Sequence, residues 1–170
     1  MILIRPASLK DYKEIAKIHV ETWQFAYNRI MPQEFLLNLS KKKRRKKWKE
    51  IIYKEEKGTQ TFVAEKDKKV VGFCFVGYCR DQDCNSETGE IWSIYVDQNH
   101  MNQGIGTKLM KRAVVFLKKE GYQRAILWVL KDNLKTSVWY EKLGWMIEGK
   151  QKIFKKANFQ LKEVRYYRDL

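Results

Sequence analysis

The sequence predicts an α/β (α+β) fold in a single domain over residues 1–170. Three observations lead there. Short β-branched and aromatic segments are interspersed with segments of helical periodicity, and the chain has no internal repeat, low-complexity tract or linker. Two β-like segments, residues 60–65 and 70–79, flank the polar turn 66–69, as in a hairpin. A third, residues 90–96, runs into a polar turn with two nearby glycines and then into a helix.

In order, residues 1–6 alternate and form the first strand. Ser8 with Asp11 three residues on resembles a capping box. Ile15, Ile18, Thr22, Phe25 and Ala26 recur at helical spacing, giving a helix to about Tyr27. Pro32 opens a short segment with Phe35, Leu36 and Leu39 inward. Residues 41–50, KKKRRKKWKE, followed by Ile51, Ile52 and Tyr53, read as a helix with one apolar stripe and a solvated basic face. After the hairpin, residues 80–89 are loop-like. Residues 104–120 form a helix with Leu109, Ala113, Phe116 and Leu117 on its apolar face, capped by Gly121. Residues 124–130 are a strand, 133–143 a short helix closed by Gly144, and 145–154 and 163–167 two final strands.

Composition narrows the class. The apolar share is 44%, ordinary for a globular chain. The longest apolar run, residues 70–78, is far short of the roughly 20 residues a membrane helix needs. Charged residues arrive by Arg5 with no signal-like apolar stretch, so a soluble cytoplasmic protein without a membrane partner is expected. Cys74, Cys79 and Cys84 lie five apart and show no zinc-like spacing with His19 or His100. They are expected as reduced structural thiols, with no metal. The net charge of +15 admits a nucleic-acid surface, a lysine-rich host proteome or attraction of an anionic cofactor. The basic run holds only one aromatic, Trp48, so nucleic acid is not the expected partner.

Two segments carry chemistry. In the first, Gln103-Gly104-Ile105-Gly106 follows a strand and opens a helix, an arrangement that suits an anion because the first helical N–H groups lack intrahelical partners. It lacks the third glycine of a dinucleotide fingerprint and the Lys-Ser/Thr of a P-loop. In the second, residues 127–145, a strand ends, Asn133 opens a helix, and Tyr140 lies two turns on, on nearly the same face.

Together the segments resemble the GNAT N-acetyltransferase superfamily over nearly the full chain. Ile94-Tyr95-Val96 followed by residues 100–106 is similar to its acetyl-CoA motif, Q/R-x-x-G-x-G/A. Asn133 through Tyr140-Glu141-Lys142-Leu143-Gly144-Trp145 is similar to its N-x-x-A-x-x-F-Y-E-K-L-G-F signature. Residues 23–32, WQFAYNRIMP, resemble a bacterial subgroup of small-molecule or polyamine-type acetyltransferases. Met101 stands where Gln or Arg is usual, Thr136 replaces a small residue, and Trp139 and Trp145 replace phenylalanines.

The resemblance implies a GNAT fold: one mixed, mostly antiparallel twisted sheet of six to seven strands, splayed at its centre, with about four to five helices. It implies acetyl-CoA as co-substrate and no metal. Main-chain amides of Met101, Asn102, Gln103, Gly104, Ile105, Gly106 and Thr107 would hold the pyrophosphate. Ile94, Tyr95 and Val96 would pair with the pantetheine arm, and Asn133 would bond near it. Tyr140 would donate a proton to the departing thiolate, and Glu90 would accept one from the amine. Glu21, Trp23, Tyr27 and Trp92 are candidates for holding the acceptor, a small-molecule or peptide amine. A homodimer through the C-terminal edge strands is compatible with this reading. The alternative is a nucleic-acid- or protein-binding module that keeps the fold and uses its basic surface.

Overall fold

The computed structural model describes residues 1–54, 56–156 and 158–170. In chain order its elements are β1 (Ile2–Pro6), α1 (Tyr12–Ala26), α2 (Gln33–Leu37), α3 (Lys41–Lys54), β2 (Gln60–Lys66), β3 (Lys69–Tyr78), β4 (Thr88–Val96), α4 (Ile105–Lys119), β5 (Arg124–Leu130), α5 (Leu134–Lys142), β6 (Met146–Lys156) and β7 (Phe159–Asp169). A short 3₁₀ turn, Gln98–His100, separates β4 from α4. All seven strands join one sheet of order β1-β2-β3-β4-β5-β7-β6. Only β4 and β5 run parallel; every other neighbouring pair is antiparallel. This is the expected mixed, mostly antiparallel sheet.

Each face of the sheet has its own core. On one, α4 buries Leu109, Ala113 and Leu117, spaced four apart, against Cys74, Ile91, Leu127 and Tyr140. On the other, Ile15, Ala16 and Ile18 of α1 and Trp48 of α3 pack on Val63 and Phe73. A third cluster, Met31, Leu36 and Leu130, joins the α1–α2 connection to the end of β5. At the start of α1, Asp11 reaches back to the Ser8 N–H at 2.7 Å and also accepts from Arg5 at 2.8 and 2.9 Å. The capping residues therefore tie the helix entry to β1 as well.

Some expectations are corrected. β4 begins at Thr88, so Glu90 is its third residue rather than its first. β7 is twice the expected length. Tyr53 is exposed, because the inward stripe of α3 ends at Ile51 and Ile52. Only Cys74 is a free thiol, and it is buried; Cys79 and Cys84 form a disulfide. The loop after β3 turns back and brings their Cα atoms to 6.2 Å, within bridging range. Cys79 also lies beyond the end of β3, so it does not share that strand with Cys74. No helix of the described residues is long and apolar enough to cross a membrane.

Candidate functional site

The centre of the sheet is open. β4 and β5 pair only from Thr88–Arg124 to Ile91–Leu127, although β4 continues to Val96 and β5 to Leu130. The register between β3 and β4 slips at the same point: Phe75 faces Ser93 while Val76 faces Ile91, so Trp92 is the extra residue. A β-bulge of this kind bends its strand and increases its twist. The bulge is pinned, since the Trp92 indole N–H donates to the Tyr78 carbonyl at 2.9 Å and its ring meets Phe75 edge-on at 4.5 Å. Beyond it, the main chain of Ile94, Tyr95 and Val96 lines a gap that can accept an extended molecule as an added strand.

The gap leads to the N-terminus of α4. Asp97 caps the connecting turn by accepting from the Asn99 N–H at 2.8 Å. Asn102 (φ 60°) and Gly104 (φ 74°) both take left-handed backbone, which glycine adopts without the steric cost a side chain carries. The first intrahelical bond is Lys108 N–H to Gly104 C=O at 3.0 Å, so the amides of Ile105, Gly106 and Thr107 precede the helical ladder. Gly106 is favoured for another reason: a Cβ there would stand 3.1 Å from the Trp139 ring of α5, which would have to give by a few tenths of an ångström. No acidic residue lies in the first turn, so nothing opposes the helix dipole in attracting an anion. Met101 is half-buried, and Gln103 accepts from Lys66 at 3.0 Å. The Asn133 side chain sits at the helix cap of α5 without making the usual capping bond.

At the other end of the gap three tyrosines converge. Tyr140 of α5 is buried, and burial pushes its hydroxyl pKa up, helped by the nearby Tyr95 and Cys74. Tyr95 receives the Trp23 indole N–H at 2.9 Å. Burial raises its pKa too, against the stabilising effects of Trp23, Tyr27 and Arg44. Burial likewise pushes Tyr27 well above its ordinary value, with Tyr95, Tyr140 and Glu163 adding to the shift. Behind them His19 accepts from the Trp48 indole at 3.1 Å and lies 5.0 Å from the Tyr95 ring. Burial, with the charges of Arg44 and Lys47, holds His19 down to about 3, so it is a neutral acceptor.

The carboxylates are arranged unequally. Glu90 is 1% exposed, and Arg80 occupies both of its oxygens through the main-chain N–H, Nε and Nη2. The Arg80 guanidinium lies 4.5 Å from the centre of the Trp92 ring. Glu163, on β7 opposite Leu130, is 17% exposed and has only Lys152 within ion-pair distance, at 4.0 Å, among the described residues. Burial raises its pKa against the opposing charges of Lys152 and Arg80, and the neighbouring Glu90 and Asp81 add to the rise. Glu21 is paired with Lys41 of α3 at 2.6 Å. Next to the site is an open groove of about 490 Å³, lined by Arg80, Asp81, Asp83, Trp128, Lys152 and Arg165. The disulfide-closed loop presents Asp81 and Asp83 to the buried Arg165 at 3.1 and 2.8 Å.

Of the residues singled out in the sequence, Trp23, Tyr27, Tyr95 and Tyr140 come together, and Met101 to Thr107 form a continuous turn on the same gap. Glu21 faces Lys41 instead. Sequence reasoning missed Arg80, Glu163 and Arg44. A signal for one of them existed: Arg44 lies one helical turn before the buried Trp48.

A family model described as Acetyltransferase (GNAT) family matches residues 12–145. A relative from Bacillus subtilis (strain 168), described as the uncharacterized N-acetyltransferase YuaI, is 34% identical over 134 residues, which is 78% of this chain and 74% of that protein. Among solved structures, PaiA N-acetyltransferase of Thermoplasma acidophilum, in complex with coenzyme A, superposes with a TM-score of 0.76 at 18% identity, over 100% of this chain and 99% of that one. The YncA structure of Salmonella typhimurium, solved with its cofactor acetyl-CoA, gives 0.74 at 20% identity, over 99% and 94%.

Proposed function

This chain belongs to the GNAT acetyltransferase family, and from that premise we propose that it moves the acetyl group of acetyl-CoA directly onto a primary amine within a ternary complex. The observation that carries the reading is the opening between β4 and β5, with an anion-holding turn at one end and Tyr140 at the other.

The parts divide the work as follows. The amides of residues 101–107 hold the pyrophosphate, with the helix dipole behind them. The β4 edge at Ile94, Tyr95 and Val96 binds the pantetheine arm as a missing strand, and the Asn133 amide, not engaged in capping, bonds near it. A main-chain N–H beside the Trp92 bulge polarises the acetyl carbonyl, as an oxyanion hole does.

The amine attacks that carbonyl carbon, a C–N bond forms, and the C–S bond breaks. Tyr140 carries its proton through the neutral range because burial raises its pKa, and it hydrogen-bonds the sulfur as negative charge develops there. The amine must lose a proton, since an amine of the lysine kind is mostly protonated at neutral pH. Glu90 is the carboxylate the sequence offers for that proton. Its two oxygens are engaged by Arg80, so it takes a proton only when that pair opens. Glu163 has no such engagement, and we assign it as the proton acceptor; Glu90 then fixes Arg80 and the loop behind Trp92. Trp23 and Tyr27 wall the acceptor side, while Trp92 is held at the bulge against Phe75 and Tyr78.

A thiol-release assay with acetyl-CoA and a panel of amines tests this reading. Turnover with at least one amine, and its loss in Tyr140→Phe, is the expected result. Failure to bind coenzyme A in calorimetry would overturn it. Salt-dependent RNA or DNA binding with no acetyl-CoA turnover would favour the alternative use of the basic surface.

A further inference from the structure

Arg44 has no part in the chemistry described so far. It stands in the middle of the basic run, and of residues 41–47 it alone is half-buried, the others being exposed. The inward stripe of α3 is Arg44, Trp48, Ile51 and Ile52, so helical spacing turns this one cation towards the sheet. Its guanidinium lies 5.8 Å from the Trp23 ring centre, and Trp23 in turn holds the Tyr95 hydroxyl. Its neighbour Lys41 has Glu21, whereas Arg44 is in no ion pair and no side-chain hydrogen bond among the described residues. Burial lowers the Arg44 pKa, and only Tyr95 opposes this. A cation that has lost part of its water and gained no anion is costly to keep, and it is a ready site for one.

Glu163 provides the complement. It shares a face of β7 with Leu161, which packs on the same Met31, Leu36 and Leu130 cluster as Trp23 and Tyr27. The Tyr95 hydroxyl feels both charges, Arg44 favouring its ionised form and Glu163 opposing it. The two charges do not form an ion pair with each other. Arg44 faces the Trp23 ring, Trp23 meets Tyr27 at 5.4 Å, and Tyr27 and Tyr95 both feel Glu163, so these rings link the two charges.

We infer that the acceptor is an amine bearing a carboxylate, of the amino-acid class, with its carboxylate on Arg44 and its amino group towards Glu163. This inference rests on the acetyltransferase reading and narrows it. A planar guanidinium fork matches a carboxylate with two parallel hydrogen bonds, which an uncharged amide cannot reproduce. A polycationic acceptor would instead meet the Arg44 charge with nothing to neutralise it.

Matched acceptors test the assignment: lysine against cadaverine, which is lysine without its carboxylate, and a set of free amino acids against their amides. The acids should be preferred by about tenfold or more in kcat/KM, the scale of one charge-assisted contact. Arg44→Gln should bring that ratio near one by raising KM for the acids, and Arg44→Lys should restore part of it. Equal or better turnover of cadaverine and the amides by the unaltered enzyme would overturn the assignment, as would an equal loss for both classes in Arg44→Gln. Indole fluorescence titration with the same compounds, in the presence of coenzyme A, separates this from the activity itself. Carboxylate-dependent binding without acetylation would sink the transfer reading and keep the acceptor class. Binding that ignores the carboxylate would do the reverse.

Discussion

Arg80 binds Glu90 through three donors, its main-chain N–H at 3.0 Å and Nε at 3.1 Å on one carboxylate oxygen and Nη2 on the other. The carboxylate is almost wholly buried, while half of the Arg80 side chain is open to water. The pair thus anchors a surface loop to the centre of the sheet. Glu90→Gln should cost about 1–2 kcal/mol of stability, less than a fully buried charge pair because the arginine keeps some of its water. Its kcat should fall by less than about tenfold if Glu90 only positions. Chemical denaturation and steady-state kinetics on the same preparation check both figures.

Glu163→Gln should behave differently, with a loss of about 100-fold or more in kcat, the scale of a positioned acid–base group. The pH profile gives the sharper test. Burial raises the Glu163 pKa, so the ionised form needed to accept a proton is lost at a higher pH than for an ordinary glutamate. The acid limb of kcat/KM should lie above the usual carboxylate range and disappear in Glu163→Gln. An unchanged acid limb in that variant would remove Glu163 from the mechanism.

Tyr140→Phe retains the ring that packs with Trp145 and Tyr166. Stability should change by less than about 1 kcal/mol, because the substitution keeps the packed ring and removes a single oxygen. Turnover should fall by about 100-fold or more with little change in KM for acetyl-CoA. A variant with normal turnover would show that the thiolate leaves without help from this residue.

Gly106→Val would drive a side chain into the Trp139 ring and push α4 away from α5. Gly104→Val meets no neighbour within 4 Å but forces a branched residue into left-handed backbone, at about 1–2 kcal/mol. Both should weaken coenzyme A binding about tenfold or more in calorimetry, one through packing and one through the shape of the turn. Unchanged affinity in both would move the pyrophosphate elsewhere.

His19 makes stability depend on acid. Its folded pKa, about 3, lies below the ordinary 6.5, so the unfolded chain takes up the proton more readily. The stabilising contribution is complete above pH 6.5 and is lost as the pH falls towards 3, by about 5 kcal/mol in all. His19→Asn preserves an acceptor for Trp48 and should flatten the denaturation free energy over that window. A slope equal to that of the unaltered protein would mean that carboxylates, not His19, govern acid unfolding.

Much of this was legible in the residues. The order of strands and helices followed from periodicity, because α1 and α4 each bury one clean stripe and the hairpin has its polar turn at 66–69. The glycine turn and Tyr140 were legible because positive φ and a helix-borne tyrosine leave local marks. Charge partners were not. Glu90 and Arg80 are neighbours through a loop whose return no local pattern announces, and the same return joins Cys79 to Cys84. Arg44 was hidden among like residues: seven consecutive cations look equivalent until the helix is phased on Trp48. Glu163 was taken as the first residue of its strand, where alternation gives no face, whereas β7 begins at Phe159.

The break between β4 and β5 also bears on the sequence of events in a catalytic cycle. Four residue pairs join these strands, and beyond Ile91 the sheet has no interior on its own. On the proposed reading the acyl donor supplies the absent strand and thereby one wall of the acceptor's chamber. An amine that arrived first would meet an incomplete enclosure open to water. The architecture therefore favours donor before acceptor, and acetylated product leaving before the spent carrier.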